Sequence, residues 1–121
     1  MKKIVTLLLV AAMLVTSIAM LAGCDGETAN EDFKIGFICL HDEQSTYDLN
    51  FLNAANSVQS ALGLTNEQVI IKTNIPEGNE CYEAAKDLVN QGCDIVFANS
   101  FGHEDFMIKA AKEFPEVEFC H

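Results

Sequence analysis

The sequence predicts an α/β protein built on a doubly wound parallel sheet with strand order 2-1-3-4. Three observations predict it. Four short apolar runs of strand length recur along the chain, three amphipathic helical periods separate them, and glycine or proline punctuates the ends of those periods.

The first segment stands apart from that pattern. Lys2 and Lys3 form a cationic start, Ile4 to Met20 form a nearly unbroken apolar stretch, and Leu21-Ala22-Gly23-Cys24 closes it with small residues before a cysteine. This is a lipobox. Residues 1–23 are expected to be a cleaved signal peptide, and Cys24 to carry a diacylglycerol thioether. Residues 24–32 are expected to be a lipidated flexible tether, because Asp25 to Asp32 is polar and has no apolar period. The competing reading is an uncleaved membrane helix. Thr6, Thr16 and Ser17 interrupt the run, and an acidic, loop-like stretch follows it at once. Acyl chains on Cys24 would anchor the protein without a spanning helix, which places it at the cell membrane on the extracytoplasmic face.

Beyond the tether, Lys34 to Leu40 is the first apolar run. Gln68 to Lys72, Asp94 to Ala98 and Val117 to Cys120 are three more. Their continuous apolar character predicts strands covered on both faces. Tyr47, Phe51, Ala54, Ala55, Val58, Ala61 and Leu62 follow helical spacing, with Gly63 where a left-handed cap is wanted. Cys81, Ala84, Ala85, Leu88 and Val89 form the second stripe, between Pro76-Glu77-Gly78-Asn79 and Gly92. Phe106, Met107, Ala110, Ala111 and Phe114 form the third, stopped by Pro115. Glu104 and Asp105 in its first turn suit the positive end of the helix dipole. Parallel strands joined by right-handed helical crossovers give the 2-1-3-4 order. The last run ends at His121 without a following helix, so residues 33–121 are expected to form a partial N-terminal lobe of a longer protein.

Charge bounds the partners. The formal charge is −11, and removal of the two lysines within residues 1–23 takes it to −13. Such a surface repels nucleic-acid phosphates, and membrane attachment must come from the lipid. Cys39, Cys81, Cys93 and Cys120 remain after Cys24. No Cys-x-x-Cys pair occurs among them, and their apolar settings favour buried free thiols over disulfides.

In a doubly wound sheet, ligands bind beyond the carboxyl ends of the strands where strand order reverses, here between the first and third strands. Two loops meet that condition. One, His41 to Tyr47, carries His41, Asp42, Glu43, Gln44, Ser45, Thr46 and Tyr47; the other carries Asn99, Ser100, Phe101, Gly102 and His103. Each offers an aromatic ring and several hydrogen-bonding groups, which suits a planar polar solute. The bland alternative makes Tyr47 and Phe101 core residues at helix starts. His41, His103 and His121 all fall at this edge, so zinc capture is a further alternative, although no two of them have ligand-type spacing. No nucleophile elbow, phosphate loop or dinucleotide fingerprint occurs, so neither an enzyme nor a cofactor is expected.

These residues resemble a family. The lipobox, the Ser45-Thr46-Tyr47-Asp48 helix start, Asn74-Ile75-Pro76-Glu77, Gly92 to Ala98, Phe101-Gly102-His103-Glu104-Asp105 and Ala110 to Pro115 are similar to the basic membrane protein family of substrate-binding lipoproteins. The resemblance runs from about Phe33 onward and is carried by the motifs as a set. It implies the first part of lobe 1 of a type I periplasmic-binding fold, a purine nucleoside as solute, and an ABC permease with its ATPase as partners. The family's base-stacking aromatic and its neighbouring asparagine fall on Tyr47 and Asp48. The second position departs from the pattern, since an ionised carboxylate only accepts hydrogen bonds. A signalling lipoprotein with the same fold is the alternative within this resemblance.

Overall fold

The computed structural model describes residues 32–121. The expected signal peptide, Cys24 and all of the tether except Asp32 lie outside the described residues. Four strands alternate with three α-helices: β1 (Ile35–Ile38), α1 (Thr46–Leu62), β2 (Val69–Lys72), α2 (Asn79–Asn90), β3 (Ile95–Ala98), a 3-10 turn (Phe101–His103), α3 (Glu104–Glu113) and β4 (Glu118–Cys120). All strand pairs are parallel, and the order is β2-β1-β3-β4, as the sequence predicts. Ile35 is in register with Val69 on one side and Ile95 on the other, which makes β1 a central strand. No helix among the described residues is long and apolar enough to cross a membrane.

Local signals set the helix ends. Ser45 caps α1 and accepts a hydrogen bond from Asp48 N, while Gly63 closes the helix at φ 65°, a left-handed conformation that glycine adopts without a Cβ penalty. Gly36 serves a different purpose. A Cβ there would lie 2.8 Å from Leu88 Cδ1, so its absence lets α2 approach β1 closely.

The main core lies on one face of the sheet. Ile38 and Val96 pack there against Cys81, Ala85 and Leu88 of α2 and Met107 and Ala110 of α3, all nearly inaccessible to solvent. The other face is covered only in part, contrary to the expectation of strands buried on both sides. Ile35, Leu64 and Val69 form a small cluster there, and Phe37 stacks on Phe97 with ring centroids 5.4 Å apart. Helix α1 spans one flank of this face, so its apolar stripe borders an apolar groove of about 570 Å³ lined by Phe33, Phe37, Phe51, Val58, Leu62 and Phe97. Only Asp48 and Ala55 of α1 are buried. The stripe correctly marks the apolar side of the helix, yet nothing among the described residues covers its outer half.

The four cysteines among the described residues are free thiols, three of them buried and Cys120 half-buried. Phe119 is likewise half-buried on the edge strand β4.

Candidate functional site

Three loops leave the carboxyl ends of β1, β2 and β3 on the same rim: residues 39–45, 73–78 and 99–103. Backbone bonds join the first two, with Ile75 N donating to Cys39 O at 3.1 Å. Asn74 takes a left-handed conformation at φ 57°, which a short amide side chain tolerates, and its Nδ2 donates to Asp42 Oδ2 at 3.2 Å. Asp42 also accepts from Gln44 N at 3.0 Å. The Gln44 backbone bond and the Asn74 amide hold its carboxyl below the usual range.

Asn99 joins the first and third loops. It is 8% exposed, and its Oδ1 accepts from Leu40 N at 3.1 Å while its Nδ2 donates to Asp48 Oδ1 at 2.7 Å. Its carbonyl accepts from Tyr47 Oη at 2.9 Å. Tyr47 as a residue is nevertheless 57% exposed, and Phe101, two residues beyond Asn99, is 85% exposed. Neither aromatic is therefore a core residue. Both stand at the rim between β1 and β3, with Tyr47 tilted against Phe51 at a centroid distance of 5.1 Å.

The remaining residues singled out in the sequence divide between rim and interior. Asp48 is fully buried. One carboxylate oxygen accepts from His41 N at 3.1 Å and from Asn99; the other accepts from Ser45 Oγ at 2.6 Å and lies 3.3 Å from His41 Nδ1. Burial opposes its charge, but the bonds from Ser45, Asn99 and His41 outweigh that and hold the carboxyl well below the ordinary carboxylate range. With both oxygens engaged, Asp48 faces the protein and not a solute, unlike the ligand contact read from the sequence. His41 itself is exposed.

His103 also departs from expectation. The 3-10 turn rotates it inward, where it is fully buried and its Nε2 is 3.0 Å from Ile75 O. A carbonyl only accepts, so that nitrogen carries the hydrogen, and Nδ1 is buried without a partner. Ser100 is buried, donates through Oγ to Glu77 Oε1, and its carbonyl lies within hydrogen-bond reach of His121 Nε2. Gly102 N donates to the same Glu77 oxygen at 3.1 Å. The bonds from Ser100 and Gly102 hold the Glu77 carboxyl below its usual range. A Cβ on Gly102 would meet Glu77 atoms at 2.4 to 2.8 Å, so the glycine makes room for that carboxylate. The three histidines thus engage separate partners. Among the described residues, no group of three or more His, Cys, Asp or Glu side chains is arranged to hold a metal ion.

The structure adds Asn99 and Glu77 as supports of the site. Asn99 sits in a loop that the sequence singled out, but its partners lie 51 and 59 residues away. Glu77 lies in the Asn74-Ile75-Pro76-Glu77 segment before α2, and its partners Ser100 and Gly102 lie 23 and 25 residues away. The Ser45-x-x-Asp48 spacing is a capping signal from which the inward aim of Asp48 was accessible.

Comparison with known proteins bears on the fold. No family model matches the chain. A purine-binding protein of Brucella abortus (strain 2308) is 33% identical over 96 residues, covering 77% of this chain and 27% of that protein. An ABC transporter solute-binding protein from Conexibacter woesei DSM 14684 superposes with a TM-score of 0.60 at 18% identity, covering 72% of this chain and 28% of its own. The resemblance to the basic membrane protein type is borne out. This basic-membrane-protein-like chain has the fold of a periplasmic solute-binding protein and spans little more than a quarter of the length of each relative. In it, the Tyr47 and Phe101 rings occupy the position where an open α/β sheet binds its ligand.

Proposed function

We propose that this chain forms part of a lipid-anchored, extracytoplasmic solute receptor that binds a purine nucleoside or a related purine and delivers it to an ABC permease and its ATPase. One observation carries the reading. Tyr47 is more than half exposed and is held by its own hydroxyl at the carboxyl ends of β1 and β3, a rim that also carries the exposed Phe101. A fixed, solvent-facing π surface suits a planar base, because stacking requires no bond to be made or broken and the ring is already ordered. The name of the Brucella relative, a purine-binding protein, supports the same ligand class. The lipobox at Leu21 to Cys24 supports the anchor.

Calorimetric titration of the full chain with adenosine, guanosine and ribose tests the ligand. Both nucleosides should bind and ribose should not, and Tyr47→Ala should weaken nucleoside binding by about 1 to 3 kcal/mol, the stacking range. A dissociation constant unchanged by Tyr47→Ala would overturn the assignment. Mass spectrometry of the membrane-extracted protein tests the anchor: a diacylglycerol-modified Cys24 should be the first residue.

A further inference from the structure

We infer that Asn99 is the positioning residue that fixes Tyr47 for the solute, an inference that rests on the proposed ligand surface. Tyr47 is 57% exposed and its ring meets Phe51 on one side, so its polar tether does much to choose its rotamer. That tether ends on the Asn99 carbonyl. Asn99 is itself fixed at every polar group. Its N–H donates to Ile38 O at 3.1 Å, extending the β1–β3 ladder, and its side chain bridges Leu40 N and Asp48 Oδ1.

The bridge needs a group that accepts at one atom and donates at another. Leu40 N is a donor, so the group facing it must accept. The Asp48 carboxylate is an acceptor, so the group facing it must donate. A primary amide does both, and its orientation follows from its two partners. An aspartate at this position would still accept from Leu40, but its other oxygen would face the Asp48 carboxylate at hydrogen-bond distance. The pair would then hold one proton between them and titrate as a coupled unit. The titratable groups around it are His41, 3.3 Å from the far oxygen of Asp48, and the Cys39 thiol at the end of β1, which senses the Asp48 charge. Both are common to the wild type and the variant.

Asn99→Asp in the full chain separates positioning from a merely structural role through pH. At about pH 5 the shared proton restores the bridge, and at about pH 8 repulsion opens it. Adenosine affinity relative to wild type at the same pH should be near unity at the lower value and at least tenfold weaker at the higher. The NMR ring signals of Tyr47 should move with it, while those of Tyr82 on α2 stay in place and report an intact fold. An affinity ratio that is flat across this range overturns the role of Asn99. Failure of the wild type to bind adenosine at either pH instead removes the receptor reading, so the two failures are distinct. Tyr47→Phe provides a second route that leaves the core untouched: loss of the hydroxyl should weaken adenosine binding several-fold without lowering the melting temperature, and an unchanged affinity overturns the inference.

Discussion

The amide of Asn99 donates to the buried carboxylate of Asp48 at 2.7 Å, across 51 residues of sequence. This bond holds the end of β3 to the first turn of α1. It thereby fixes the distance between the two loops that carry Phe101 and Tyr47. A buried charge, the Asp48 carboxylate, thus braces the rim that carries both aromatic residues.

Asp48 should therefore govern acid stability. Its folded pKa lies below the unfolded value of about 4, so its contribution is complete above that value and is lost as pH falls through the folded pKa. Asp48→Ala, which leaves the Asn99 amide and His41 N without an acceptor, should cost about 2 to 4 kcal/mol at neutral pH. Asp48→Asn should be destabilised at neutral pH and show a shallower acid limb than wild type. Some acid dependence should persist, because Asp42, Glu77 and Asp87 are also held below their usual range. Urea unfolding between about pH 3 and pH 7 checks this; parallel acid limbs for wild type and Asp48→Asn would argue against it.

Gly36→Ala should lower stability by about 1 to 3 kcal/mol through overpacking. The new methyl would lie 2.8 Å from Leu88 Cδ1 and 3.3 Å from Cys93 Sγ in the main core, where little can move aside. Gly63→Ala is the contrasting variant. No atom lies within 4 Å of a Cβ there, so its cost should come from the left-handed backbone alone, about 1 kcal/mol. Chemical denaturation of both variants compares packing with backbone strain.

Burial pushes the Cys39, Cys81 and Cys93 thiols up to about 11, with the Asp48 charge adding to the effect at Cys39. At pH 8 only roughly one in a thousand of each is thiolate. Iodoacetamide should therefore spare these three in the folded protein, modify the half-buried Cys120, and reach all four in denaturant. Peptide mapping reads the result, and rapid native labelling of Cys81 would contradict the packing of α2.

The order of elements was legible because apolar runs and helical periods are local. Gly63 and Pro115 mark helix ends within one turn of the residues they affect. The 2-1-3-4 topology followed from the alternation together with crossover handedness. The environment of α1 was less legible. Periodicity identifies the side on which Phe51, Val58 and Leu62 lie, but not whether another element covers that side. At the rim, the exposure of Tyr47 and Phe101 agrees with a binding surface. The inward aim of Asp48 and His103 depends on a capping bond and on one 3-10 turn. The bracing roles of Asn99 and Glu77 were not legible because their partners are distant in sequence, and local pattern carries no signal of them.

Ring-resolved NMR of the full chain during an adenosine titration tests the central claim most directly. Tyr47 and Phe101 signals should shift together and saturate at one common ligand concentration, as stacking on a shared solute requires, while Tyr82 stays unmoved. Saturable adenosine binding that leaves both Tyr47 and Phe101 unshifted would contradict it.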